Sequence, residues 1–299
     1  IEKPKEAGAL EEEELDEIEE LIENMTLEEK IGQLFIFGLN GDKIDKNALD
    51  LIEKHYIGGF IFFKENIKSP EQTIELLNNL KEINRDNPIP LFLAIDEEGG
   101  RVSRLPKEFP KMPAAKTIGN INNKDLSFQY GKILGMRIKT LGFNMDFAPV
   151  MDINSNPKNP VIGDRAFGNS IDLVVNNSIE TMKGISAPFS MAFAKAIENG
   201  ADSVMIGHIL FPELDDKPAT LSSKIIKDLL REKLNFNGVV ISDDLNMGAI
   251  VKNYSMEEAV IEFLKADGDI ALICHGGDEE YKIFDIIKSE VQNGNISVE

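Results

Sequence analysis

Val239-Val240-Ile241-Ser242-Asp243-Asp244-Leu245-Asn246-Met247 decides the fold, because an apolar, β-branched run ends abruptly in two acids. A carboxylate where a buried strand runs out into a loop is poised for chemistry. The same switch from apolar to polar recurs at Ala94-Ile95-Asp96-Glu97-Glu98-Gly99-Gly100-Arg101, at Phe143-Asn144-Met145-Asp146-Phe147-Ala148-Pro149 and at Val204-Met205-Ile206-Gly207-His208. Polar residues gathered at the carboxyl ends of parallel strands are how a β/α barrel assembles an active site.

Working outward, short apolar runs alternate with stretches of helical spacing. The runs that predict strands are Ile31–Leu39, Gly58–Phe63, Pro90–Asp96, Phe143–Val150, Ser203–Ile209, Val239–Asp243 and Asp269–His275. Helices are predicted over Lys46–His55, Glu71–Asn84, Leu126–Leu141, Leu173–Ile185, Met191–Asn199, Ser222–Leu234, Met256–Ala266 and Asp278–Val291. Such alternation implies a parallel sheet, and the fold expected is an α/β (β/α)8 TIM-type barrel, with a doubly wound open sheet as the other architecture. Seven strands are visible where a barrel needs eight. The alternation breaks after Gly184-Ile185, where Ser186-Ala187-Pro188-Phe189 leads straight into another helical stretch. The expectation is that the fifth strand and its loop are missing from the sequence here, the alternative being an irregular fold.

Composition bounds the partners. A chain of 299 residues, 42% hydrophobic and 28% charged, can bury a full core. A formal charge of −20 disfavours nucleic acid and anionic membrane, both of which reward clustered Lys and Arg, so a neutral ligand is expected. No apolar run reaches the ~20 residues that span a bilayer. The sequence starts at Ile1, which fits a secreted or cell-surface form trimmed of an export segment, with a cytoplasmic location as the alternative. The one cysteine, Cys274, lies in the apolar run Ile270-Ala271-Leu272-Ile273 and reads as a buried, inert thiol. His55 and His275 form no metal-ligand spacing, so neither metal nor cofactor is implied.

Four segments carry a resemblance. Asp96-Glu97-Glu98-Gly99-Gly100-Arg101-Val102-Ser103-Arg104, Asn159-Pro160-Val161-Ile162-Gly163-Asp164-Arg165-Ala166-Phe167-Gly168, Pro218-Ala219-Thr220-Leu221-Ser222 and Ser242-Asp243-Asp244-Leu245-Asn246-Met247 resemble, in order, the signature segments of family 3 glycoside hydrolases. Within that family they are most similar to NagZ-type β-N-acetylhexosaminidases, and the similarity runs from about Met25 to Ile273. It implies a retaining β-N-acetylglucosaminidase acting on peptidoglycan fragments or chitin-type oligosaccharides. A single domain over 1–299 is expected, with 1–24 as a helical extension and a monomer as the oligomeric state.

The resemblance assigns Asp243 as the nucleophile, and strand geometry agrees: Val239, Ile241 and Asp243 share one face, and Val240, Ser242 and Asp244 the other. The plainer alternative is that the two acids cap the following helix. By the same resemblance Asp96 and Arg104 hold sugar hydroxyls, Arg165 is a further substrate contact, and Met205 and His208 line the pocket floor. For Arg165 the alternative is a surface pair with Asp164; for His208 it is a structural hydrogen bond. Gly99-Gly100 reads as a tight turn, not a phosphate cradle. The family's acid/base, a His-Asp pair on a glycine-rich loop following a Lys-His pair, has no counterpart here, so no residue is assigned to that role. Two rivals follow: a β-glucosidase or β-xylosidase of the same family, and a non-catalytic sugar-binding barrel if the loop is deleted. Thr26-Leu27-Glu28-Glu29 predicts a capping box, and Glu11 to Glu20 an amphipathic helix.

Overall fold

The computed structural model of the chain describes residues 18–188, 203–275 and 280–297. Seven parallel strands form in the order of the apolar runs: β1 (Phe35–Gly38), β2 (Gly59–Phe62), β3 (Phe92–Ile95), β4 (Met145–Asp146), β5 (Ser203–Ile206), β6 (Val239–Ser242) and β7 (Ala271–Ile273). Five of them hydrogen-bond in the order β4-β3-β2-β1-β7, and β5 pairs with β6. The two groups meet where Ile241 bridges Ile270 in parallel and Ser242 N donates to Ile270 O at 3.0 Å. The described strands therefore run β4-β3-β2-β1-β7-β6-β5, and the two outer members are the pair consecutive in sequence. Closure between them is not seen among the described residues. The break in alternation from which a missing strand is expected lies in the sequence between them, and residues 189–202, including the whole predicted helix Met191–Asn199, lie outside the described residues.

The strands have two apolar faces, as buried parallel strands require. Phe35, Phe37, Phe60, Phe62, Leu93, Ile95, Val240, Ala271 and Ile273 pack outward in the large core shared with the helices. Ile36, Ile61, Ala94, Ile241 and Leu272 form a second, inward cluster that Met205 and Phe63 join. The period-2 alternation of side chains sorts the two sets. Helices precede, connect and follow the strands: α1 (Leu27–Gln33), α2 (Lys46–His55), α3 (Pro70–Ile83), α4 (Ala115–Ile121), α5 (Lys124–Leu141), α6 (Ile171–Ser186), α7 (Gly248–Val251), α8 (Met256–Lys265) and α9 (Glu280–Gln292). Lys224–Lys233, predicted helical, is wound as a π-helix.

Among the elements that differ from the sequence expectation, three have a clear physical reason. Ile31 and Gly32 belong to α1 and not to the first strand, because the capping box of Thr26 and Glu29 starts a helix that runs through them. The fourth strand shrinks to Met145–Asp146, since Pro149 has no N–H to donate to a ladder. Helix α4 was not anticipated; its seven residues follow Pro113 and carry no side-chain cap, so local signals are weak.

Candidate active site

The carboxyl ends of β2, β3, β5, β6 and β7 surround a pocket of about 180 Å³ lined by Ile61, Phe63, Asp96, Met205, Asp243, Asp244, Met247, Leu272, Cys274 and His275. Ile61 and Leu272 are the top of the inward cluster, so the floor is apolar and the polar groups come from the residues just past the strands. Asp243 follows Ser242 on the inward side, in register with Ile241. Asp96 follows Ile95 in the same way, in register with Ala94. Strand alternation thus brings two carboxylates from separate strands into one pocket.

Asp243 is fixed by its backbone: its N–H donates to Ile206 O at 3.0 Å, and its Oδ1 accepts from Asp244 N at 2.8 Å. Burial pushes its carboxyl above the ordinary aspartate range, the Asp244 N–H and the charge of His208 work against that rise, and Asp244 and Asp96 add to it. Asp244 faces the other way in function. Its Oδ1 accepts from Asn246 N and Cys274 N, both at 3.0 Å, and so ties the loop after β6 to the end of β7. Neither acid caps a helix, since the next one, α7, begins after Met247.

Asp96 forms an ion pair with Arg104 at 3.0 Å, and the Arg104 guanidinium lies over the Phe63 ring, 5.6 Å from its centre. His275 stacks on the same ring at 5.7 Å. The turn between Asp96 and Arg104 needs its glycines: Gly99 and Gly100 have φ of +79° and +59°, and a Cβ on Gly99 would lie 2.2 Å from the Tyr130 hydroxyl. Glu97, fully buried, accepts from Ser103 Oγ at 3.0 Å and Arg104 N at 3.1 Å, which closes the turn from below. Burial raises the Glu97 carboxyl above its usual range.

Arg165 is not paired with Asp164. Its Nε and Nη2 grip both oxygens of the buried Glu98 at 2.8 and 2.7 Å, while Asp164 pairs with Arg101 at 2.9 Å. Two crossed ion pairs thus lock the loop of residues 159–168 onto the turn of residues 96–104. Burial holds Glu98 above the ordinary glutamate range even with Arg165 in place, so the pair contributes geometry more than stability.

Of the six residues expected at the site, Asp96, Asp243 and Met205 line the pocket, and Arg104 reaches it through Asp96. Arg165 and His208 stand outside the lining. His208 Nδ1 lies 2.8 Å from Thr220 Oγ1 and Nε2 lies 2.8 Å from Asp244 O, so the ring makes structural hydrogen bonds instead of forming the floor. Phe63, His275 and Glu98 were missed by sequence reasoning. Phe63 could have been found, being the first residue beyond β2 in inward register with Ile61. Cys274 is buried as expected, with burial raising its thiol, yet it also edges the pocket. Among the described residues no cluster of His, Cys, Asp and Glu could hold a metal ion, and no helix is long and apolar enough to cross a membrane.

A parallel α/β sheet with acids and an arginine converging at its strand ends is the arrangement in which barrel-type enzymes build their sites. The family model for the glycosyl hydrolase family 3 N-terminal domain matches residues 26–191 and 185–299. The chain belongs to glycosyl hydrolase family 3 and is a glycoside hydrolase. A beta-hexosaminidase of Nitrosomonas eutropha is 31% identical over 265 residues, covering 74% of this chain and 75% of its own. One from Xylella fastidiosa (strain M23) is 28% identical over 286 residues, covering 81% and 83%. The solved structure of a family 3 beta-N-acetylglucosaminidase from Paenibacillus sp. str. FPU-7 superposes with a TM-score of 0.86 at 32% identity over 92% of this chain. This chain spans 60% of that protein's length.

Proposed function

We propose that the protein is a retaining exo-β-N-acetylglucosaminidase that releases terminal GlcNAc from peptidoglycan fragments or chitin-type oligosaccharides. The observation that carries this reading is the inward placement of Asp243, beyond β6 and in one pocket with Asp96. In the first step an Asp243 oxygen attacks the anomeric carbon, the bond to the leaving oxygen breaks, and a glycosyl-enzyme forms. Asp96 and Arg104 orient the sugar hydroxyls, the carboxylate as acceptor and the guanidinium as a fork of donors. The names of the hexosaminidase relatives support GlcNAc over glucose as the sugar.

A single closed (β/α)8 domain is part of the same reading, with residues 1–24 leading into it. The order β4 to β5 leaves one place for an eighth strand, and the family match divides at residues 185–191, in that same place. The division supports the absence from this chain of a strand and the acid/base loop. Loss of general acid catalysis lowers turnover by ~10²- to 10⁴-fold for leaving groups that need a proton. It is also the one observation that favours the second reading, a sugar-binding barrel without turnover. Steady-state hydrolysis of p-nitrophenyl β-GlcNAc, wild type beside Asp243→Asn, separates the two. Turnover lost on substitution supports the hydrolase; no wild-type turnover supports the binding barrel; faster cleavage of the β-glucoside overturns the GlcNAc assignment.

A further inference from the structure

We propose that Thr220 and His208 are positioning residues for Asp243, holding the backbone carbonyls on either side of it; the proposal rests on Asp243 being the nucleophile. Thr220 sits in the turn Ala219–Leu221, fully buried, with Ser222 buried beside it. Its Oγ1 donates to Ile206 O at 3.0 Å, the same carbonyl that accepts from Asp243 N at 3.0 Å. A hydroxyl has one proton to give. With that proton on Ile206 O, Thr220 can only accept from His208 Nδ1, 2.8 Å away. The other ring nitrogen, Nε2, faces Asp244 O at 2.8 Å, and a carbonyl can only accept. Both ring nitrogens therefore donate, and the ring is pinned at two points.

The circuit joins three segments that are far apart in sequence. Ile206 ends β5, Thr220 comes from the turn that follows, and Asp243-Asp244 leave β6. Asp243 lies between the two anchored carbonyls, bonded through its own N–H to one and followed directly by the residue that bears the other. Removing the Thr220 hydroxyl frees the His208 ring at Nδ1 and takes a donor from Ile206 O, so both anchors loosen together. The carboxylate then samples positions away from the anomeric carbon, which slows bond formation without altering the groups that hold the sugar. A misplacement of about 1 Å in a reacting group costs on the order of 10²-fold in rate.

The test measures the glycosylation step alone, so that it does not depend on an acid/base residue. A 5-fluoro-N-acetylglucosaminyl fluoride supplies the probe: the Asp243 oxygen bonds to the anomeric carbon, the C–F bond breaks, and fluoride leaves unprotonated. Labelling is followed by intact mass for wild type, Thr220→Val, Thr220→Ser, His208→Gln and Asp243→Asn, with thermal midpoints beside each. The proposal expects Thr220→Val to lower the saturating rate about 10-fold or more with half-saturation changed less than about 3-fold, and Thr220→Ser to recover to within about 3-fold. Failure of the wild type to label, or normal labelling of Asp243→Asn, overturns the nucleophile assignment itself. Labelling of Thr220→Val at the wild-type rate, with Asp243→Asn inert, overturns the positioning role alone. If Thr220→Val does not fold, His208→Gln decides on the same criterion. Only three histidines are present, so ring N–H resonances add a second readout: a His208 ring with one N–H overturns the circuit and two support it.

Discussion

Replacing Gly119 by alanine separates local propensity from tertiary fit. Gly119 is inside α4, where alanine is the better helix former by about 1 kcal/mol, so on an exposed helix the change would stabilise. Here a Cβ would lie 1.7 Å from Phe167 O and 2.6 Å from its carbonyl carbon. The carbonyl would have to retreat by more than an ångström to reach ordinary contact, and Phe167 is fully buried against Ala115, Ile118, Tyr130, Leu134 and Ile185. Overpacking of this kind costs typically 1–3 kcal/mol, and an obstructing backbone places it at about 3. Subtracting the propensity gain leaves a net loss of about 2 kcal/mol, which lowers the melting temperature of a domain this size by roughly 4–8 °C. Phe167 follows Arg165 by two residues, so the displaced loop also pulls on the Glu98 pair and should raise KM. Thermal unfolding by circular dichroism at neutral pH checks the first consequence and initial-rate kinetics the second. Gly248→Ala, where the new Cβ meets nothing closer than 3.6 Å, serves as the control and should be neutral or slightly stabilising. A Gly119→Ala protein that melts at or above the wild-type temperature would refute the close approach.

Other expectations follow from the electrostatics. If Arg165 acts through Glu98, then Glu98→Gln, Arg165→Lys and the double variant should raise KM by similar factors, the double falling short of the summed effects by more than about 0.5 kcal/mol; additive effects would mean that Arg165 meets the substrate independently. The Oδ2 of Asp146 is buried and has no partner among the described residues, and desolvation raises its carboxyl well above the usual range. Its folded form keeps a proton that the unfolded chain releases near pH ~4, so its contribution is intact below that pH and is lost as pH rises. Asp146→Asn should therefore gain in melting temperature relative to wild type as pH rises from about 4 toward neutral, and a pH-independent difference would contradict this. Asp243 must be ionised to attack, and its raised carboxyl places the acid limb of labelling above that of an ordinary aspartate. Asp244→Asn removes a like charge that contributes to the rise, so the limb should move to lower pH; an upward shift would count against the assignment.

The residues alone revealed where seven strands lie, though not their ends, and which face each acid takes. Alternation along Val239 to Asp243 is a local property of extended backbone, as is the requirement for glycine at Gly99 and Gly100, so both could be read without neighbours. The Thr26 capping box was legible for the same reason, since its partners are three residues apart. Pairing across distance came only with the packed fold. Arg165 was free, on sequence grounds, to pair with the adjacent Asp164, yet the buried Glu98, 67 residues away, takes two of its three guanidinium nitrogens. His208 ended a strand as the pocket residues do, but hydrogen-bond partners from two other segments turned its ring away from the pocket. The physical reason is that periodicity fixes direction relative to the chain, whereas the partner of a charged or hydrogen-bonding group is fixed by which distant segments the core brings alongside it.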